Sequence, residues 1–278
     1  MFIAVVALCS CDLAKNNKAL ISEAGKALVE ELDQKDGEAG ACDVSAGAAE
    51  ADDKLVMQTS PKGTPEQILK RTGYVASYNK TTLLPNWVAW HLTAERTEGS
   101  AKRSGVDFAE DTEVPEPRAT DWDYYNSGYD RGHMCPAADN KWSKKAMEES
   151  FLFTNMCPQN GNLNRGDWNE MEMACRKWAK KYGDLYIVCG PILYKGKHKT
   201  IGKNKVVVPE AFFKVVLRTG DDPQAIGFIY KNTSGNRPKD SYVNTVDEVE
   251  RITGIDFFPS LPDDVEKKVE AECDLGLW

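Results

Sequence analysis

Short apolar runs rich in Val, Ile, Phe and Trp recur at residues 86–92, 151–156, 184–189, 205–208, 211–218 and 225–230. Such runs predict strands, because β-branched and aromatic side chains pack well on a pleated surface. A second rhythm, with apolar positions three and four apart, passes through 141–150, 167–182 and 246–253 and predicts helices. Gly183 follows the middle one where a glycine would close it. Long strands with helices inserted between them predict an α+β fold, a central antiparallel β-sheet with flanking helices. No internal repeat is present.

The first fifth of the chain departs from both rhythms. Residues 1–10 form an apolar stretch that is too short to cross a bilayer as a helix, which takes about 20 residues. Leu8 and Ser10 stand before Cys11 as at a lipoprotein-type cleavage site, so 1–11 reads as a signal peptide with Cys11 lipid-bearing, although no Lys or Arg precedes the run. A buried N-terminal strand is the competing assignment. Residues 13–32 carry Leu20, Ile21, Ala24, Leu28 and Leu32 at helical spacing, and 34–53 is rich in Gly, Ala, Asp and Glu. The span 12–60 therefore reads as an acidic flexible tether ahead of one globular domain at 61–278.

This pattern predicts an exported protein, held in the bacterial cell envelope by a lipid anchor or secreted, with no other membrane contact. Of eight cysteines, loss of Cys9 with the signal and lipidation of Cys11 leaves six. The expected disulfides are Cys135–Cys157, Cys175–Cys189 and, by remainder, Cys42–Cys273. A structural zinc site is disfavoured, because no C-x-x-C pair occurs.

Charge changes the picture once it is divided along the chain. The formal net charge is -8, yet residues 1–60 carry five Lys against eleven acidic residues and 261–278 two Lys against six, which leaves the middle at +2. A chain of 278 residues, 41% hydrophobic with seven Trp, can fill a large core. Affinity for a polyanion would have to come from a local patch and a metal ion, since the whole-molecule field is weak.

Candidate chemistry concentrates in about forty-five residues: Tyr129-Asp130-Arg131-Gly132-His133, then Asn155, then Leu163-Asn164-Arg165-Gly166-Asp167-Trp168 and Glu172. An imidazole can take a proton from water near neutral pH, a hard cation wants oxygen ligands, and a guanidinium can hold a phosphate by two parallel hydrogen bonds. Gly132 suggests a backbone conformation that other residues resist. Asn164 and Glu172, eight residues apart, can face one cleft if a helix begins near Gly166. Ordinary assignments exist beside these: Asn164 as a helix cap, Glu172 as a solvated carboxylate, Asn155 as a buried amide. His91 and His198 have ordinary surroundings.

These residues resemble the DNA/RNA non-specific endonuclease family. The resemblance runs from Tyr74-Val75 and Asn86-Trp87-Val88-Ala89-Trp90 through Arg103, residues 130–133 and 154–159, to Cys189-Gly190-Pro191 and residues 254–258. It implies a ββα-metal active-site motif and a hydrolase acting on DNA and RNA without sequence preference. By the same resemblance His133 is the general base, and Asn164 the single protein ligand of Mg²⁺, with Mn²⁺ as a substitute. Glu172 orients water at the metal, Arg131 and Arg103 stabilise the transition state and contact substrate, and Asn155 supports the site. Arg165 and Arg118 are further candidates for substrate contact, and homodimers occur in the family.

A catalytically silent protein that captures extracellular nucleic acid is one competing reading, and the presence of His133, Asn164 and Glu172 counts against it. A phosphodiesterase for small nucleotides is another, which a closed pocket would favour over an open groove.

Overall fold

The computed structural model describes residues 54–278. The expectations placed on 1–11, on most of the tether and on Cys9, Cys11 and Cys42 lie outside the described residues. The strands in chain order are β1 (Gln67–Lys70), β2 (Val75–Asn79), β3 (Leu84–Leu92), β4 (Asp130–His133), β5 (Met156–Gln159), β6 (Leu185–Ile192), β7 (Thr200–Ile201), β8 (Val206–Val207), β9 (Ala211–Arg218), β10 (Gln224–Lys231) and β11 (Val243–Asn244). Seven of them form one antiparallel sheet in the order β1-β2-β3-β6-β9-β10-β11. The helices are α1 (Asp121–Tyr124), α2 (Lys144–Glu149), α3 (Gly161–Arg165), α4 (Asp167–Tyr182), α5 (Val246–Thr253) and α6 (Asp263–Ala271). The α+β architecture expected from the apolar pattern is therefore present.

Period-two side-chain placement divides the sheet into two faces. Trp90, Ile187, Cys189, Phe212, Val216 and Phe228 pack against Trp168, Met171, Cys175 and Trp178 of α4 on one side. Trp87, Val188, Phe213, Val215 and Leu217 pack against Val246 and Val249 of α5, Val269 of α6, and Phe257 and Phe258 on the other. Because the central strands are covered on both faces, they read as continuous apolar runs rather than alternating ones.

Residues 54–60, expected within the tether, join this second core. Val56 is buried there, Thr59 pairs with Asp256, and the Phe258 N–H donates to Gln58 Oε1 at 2.7 Å. No helix among the described residues is long and apolar enough to cross a membrane.

The expected disulfides are corrected as well. Cys135, Cys157, Cys175 and Cys189 are buried free thiols and Cys273 is an exposed one. Cys135 Sγ accepts from Asn140 Nδ2 at 3.3 Å, and Cys189 Sγ donates to the Met134 carbonyl at 3.2 Å. Burial pushes all four buried thiols up, Cys175 and Cys189 to about 12, so they pack as small apolar groups and carry little thiolate.

Candidate active site

The two-stranded ribbon β4–β5 and the helix pair α3–α4 stand beside the main sheet and build a ββα unit. In the ribbon Asp130 faces Gln159 and His133 faces Met156. Gly132 lies opposite Cys157, and a Cβ at this position would come within 2.3 Å of Gln159 Oε1 and 2.7 Å of Gln159 Cβ. The glycine answers a close approach in an extended strand, so the expectation of an unusual backbone conformation is corrected. Asn164 lies inside α3 and Gly166 stands at the N-cap of α4, so Asn164 is not the cap of the helix it precedes; α3 is capped by Asn160, whose side chain accepts from the Asn162 and Leu163 N–H groups. Gly183 does close α4, with φ +90°.

His133 sits between aromatic rings. Phe151 meets it edge-on at 5.0 Å between centroids and Phe108 at 5.7 Å. One ring nitrogen bonds the Arg131 backbone, while Nε2 is buried without a hydrogen-bond partner. A carbonyl on Nδ1 fixes the tautomer with the proton there, which leaves the Nε2 lone pair free to accept one. Burial first, then the Arg103 charge, holds the imidazole down at about 3. It is therefore neutral across the working pH range, and an arriving phosphodiester anion would raise its basicity by favouring the charged form.

Asn164 Nδ2 donates to Asp130 Oδ2 at 3.0 Å. A carboxylate can only accept, so this contact sets the orientation of the amide and leaves Asn164 Oδ1 uncommitted. The same Asp130 oxygen lies 3.7 Å from Arg165 Nη1. Asp130 thus anchors α3 to β4 while it holds the asparagine.

His133, Asn164, Arg131, Arg103, Arg165 and Glu172 line one cleft of about 690 Å³. Its walls also carry Lys102, Lys141, Asn169 and Arg176, so many cations surround one carboxylate. The local basic patch that the overall charge required is present. Arg131 Nε donates to Asp121 Oδ1 at 2.5 Å, and its guanidinium lies 5.3 Å from the Phe108 centroid. Arg103 lies over Phe151 at 5.6 Å. These aromatic faces hold the arginines in place without spending all their donors.

Beneath the cleft the charges pair. Arg176 Nη1 donates to Asp139 Oδ1 at 2.9 Å and Trp90 Nε1 to Asp139 Oδ2 at 3.1 Å. Lys214, fully buried in β9, places Nζ 4.4 Å from the Trp168 ring and 5.0 Å from the Trp90 ring. Trp168 Nε1 in turn donates to the His133 carbonyl at 3.3 Å. Burial lifts Glu172 to about 7, against the opposing pull of Lys214. Burial likewise raises Asp139, with Arg176 and Lys214 opposing it.

Asn155 stands apart from the cleft. It is fully buried, its Oδ1 accepting from Cys135 N at 2.9 Å and its Nδ2 donating to the Cys135 and Ser150 carbonyls. With the whole amide spent on backbone it steadies the chain just past His133 and does not meet a reacting group, which corrects its place among the catalytic candidates. Arg118 donates from Nε to the Val114 carbonyl and is likewise outside the cleft lining. His91 pairs with Asp184 and His198 with Glu210, ordinary surroundings as expected.

Sequence reasoning missed Asn169, Arg176 and Lys214. The first two share a face of α4 with Glu172, at steps of three and four residues. Lys214 was detectable as a lone charge inside the apolar run 211–217.

A model of the DNA/RNA non-specific endonuclease family matches residues 52–264. The chain is 39% identical over 206 residues to the mitochondrial nuclease EXOG of Danio rerio, a match covering 68% of this chain and 60% of that protein. It is 34% identical over 209 residues to mitochondrial endonuclease G of Homo sapiens, covering 70% of each. A crystal structure of the EndoG/EndoGI complex superposes with a TM-score of 0.67 at 31% identity, over 71% of this chain and 87% of that one. The chain spans about 60% of the length of the EXOG relatives it matches. These mitochondrial relatives overturn the expectation of a bacterial envelope or secreted protein.

Proposed function

Because the chain belongs to the DNA/RNA non-specific endonuclease family, we propose that it hydrolyses phosphodiester bonds of DNA and RNA without sequence preference, with His133 as general base and one Mg²⁺ at Asn164. The observation that carries the reading is the convergence, on one basic cleft, of an imidazole with a free Nε2 and an amide whose Oδ1 is left uncommitted.

The residues suit a hard cation. A single amide oxygen is a sparse protein ligand set, and the cleft has room for the waters and phosphate oxygens that Mg²⁺ keeps. When bound, the ion would neutralise charge developing on the phosphate. His133 Nε2 takes the proton from the attacking water. Asp130 holds Asn164 in its orientation through the 3.0 Å bond, and Arg131 and Arg103 supply fixed positive charge beside the scissile group. Glu172 accepts hydrogen bonds from water within the cleft, and Arg165, exposed at the rim, contacts the polynucleotide backbone.

The test is cleavage of supercoiled plasmid and of RNA by the full chain, with Mg²⁺ or chelator, beside His133→Ala and Asn164→Ala. Wild type should degrade both substrates only with the metal. His133→Ala should be slower by roughly 10²–10⁴-fold, the usual contribution of a positioned base. A folded wild type that retards DNA in a gel and cuts nothing would sink the hydrolase reading in favour of nucleic-acid capture.

A further inference from the structure

On the opposite side of the sheet from the cleft, helices α5 and α6 bring together Asp247, Glu250 and Glu270, with one carboxylate oxygen from each within 4.8 Å of the others. Asp247 and Glu250, three residues apart, share a face of α5. Glu270 comes from the last turn of α6 and is 94% buried by its 6% exposure. Its Oε1 has no hydrogen-bond partner. An unpaired buried carboxylate oxygen beside two further carboxylates is an arrangement that folding alone does not favour, since each group has to be desolvated against like charge.

The neighbouring groups do not relieve it. Asp256 and Glu266 add to the negative field at Glu270. The basic residue of α5, Arg251, is spent on Glu248 through two hydrogen bonds of 2.8 and 2.7 Å. Lys267 acts on Glu266. Glu250 keeps one oxygen on the Phe257 N–H at 2.8 Å, which orients its carboxylate and leaves the other oxygen available.

We propose that Asp247, Glu250 and Glu270 form a second divalent-cation site, occupied by Ca²⁺, that ties α6 to α5 and is independent of the nuclease centre. The ligands are all hard oxygens, as Ca²⁺ requires. Three carboxylates with room for water suit the six to eight oxygen ligands that Ca²⁺ takes in flexible geometry at about 2.4 Å. Asp247 is exposed, which gives the ion a path from solvent and room for water to complete its shell. The raised proton affinities of Glu250, to about 7, and Glu270, to about 8, have burial as their first cause and the neighbouring carboxylates as a further one, the condition that a bound cation relieves.

The experiment is calcium titration of the full chain carrying Asn164→Ala, which removes the ligand at the other centre, followed by calorimetry and thermal unfolding. One Ca²⁺ per chain should bind, and Tm should rise by roughly 5–10 °C when Ca²⁺ is about a hundredfold above its dissociation constant. Adding Asp247→Asn or Glu270→Gln should abolish both responses. Asp247 is exposed, so its variant keeps the fold and preserves the test if Glu270→Gln does not. Two results would overturn the site: no calcium bound by Asn164→Ala at millimolar concentration, or undiminished binding in both carboxylate variants. A Glu270→Gln chain with higher Tm, beside an Asn164→Ala chain indifferent to Ca²⁺, would also overturn it and assign the cluster to shared protons.

Discussion

Two clusters of charge lie on opposite faces of one sheet, and they are balanced differently. In the wall of the cleft and beneath it, Glu172 and Arg176 stand with Asp139 and Lys214, and charges of both signs are interleaved with aromatic faces. Between α5 and α6, Asp247, Glu250 and Glu270 stand among further carboxylates, and the one donor described there is the Phe257 N–H on Glu250. The first cluster mixes both signs, and its charges serve geometry: Lys214 Nζ, buried without a hydrogen-bond partner, rests on the Trp168 ring, and Trp168 bonds the carbonyl of His133. The second is incomplete as protein alone and needs a proton or a cation from outside. Burial of charge by itself therefore says little about role; the sign of the neighbours decides whether a cluster organises a site or waits for a ligand.

The sharpest way to break this comparison is to unbalance the first cluster. Lys214→Met leaves Asp139 and Glu172 with less opposing charge, and should destabilise the protein by about 1–3 kcal/mol, less than the loss of a direct buried pair because Lys214 acts on the two carboxylates through its field and not by contact. Denaturant unfolding reads it. A loss below about 1 kcal/mol would mean that the two indoles value the lysine stem and not its charge.

A smaller effect is read by pH, where Glu172 of the first cluster, raised to about 7, adds to the same alkaline limb as the second and Glu270→Gln isolates the share of the second. The folded-state values of Glu270, about 8, and Glu250, about 7, stand above those of an unfolded carboxyl group. Between about pH 4.5 and 8 the native state therefore holds more protons, and its stability falls as pH rises through that window when Ca²⁺ is absent. His133 works oppositely: held at about 3, it is neutral when folded while the unfolded ring charges below about 6.5, so its contribution falls as pH drops from there. Glu270→Gln should flatten the alkaline limb of the Tm profile and leave the acid limb unchanged. An unaltered alkaline limb would remove the distinction drawn between the clusters.

The smallest effect tests where the penalty of the second cluster resides. Asp247 is exposed and Glu270 is not, so Asp247→Asn in calcium-free buffer should move Tm by only about 1–2 °C, the range of an exposed substitution. A rise as large as that of Glu270→Gln would place the repulsion at the surface.

Much of the frame could be read from residue order. The runs 211–218, 167–182 and 246–253 coincide with β9, α4 and α5, because buried central strands and a helix with one apolar face carry their periods plainly. The run 151–156 misled. Phe151 and Phe153 are apolar because they pack with Phe108 beside His133, and 153–155 is a 3₁₀ turn that leads into β5. Strand β4, with the polar sequence Asp-Arg-Gly-His, shows no strand period at all; its pairing with β5 is long-range. His133, Asn164 and Glu172 were legible as chemistry, whereas the full commitment of Asn155 to backbone was not.

The sequence by itself determined the α+β class, which rests on local period, the family, which rests on the resemblance of its motifs, and which candidate side chains the cleft would gather, which rests on residue chemistry. Only the tertiary structure decided that four core cysteines stay free, that Lys214 lies under the cleft, and that three acids from two helices converge. Each of these depends on which distant residues share a face, and a buried charge takes its meaning from neighbours that chain order does not reveal.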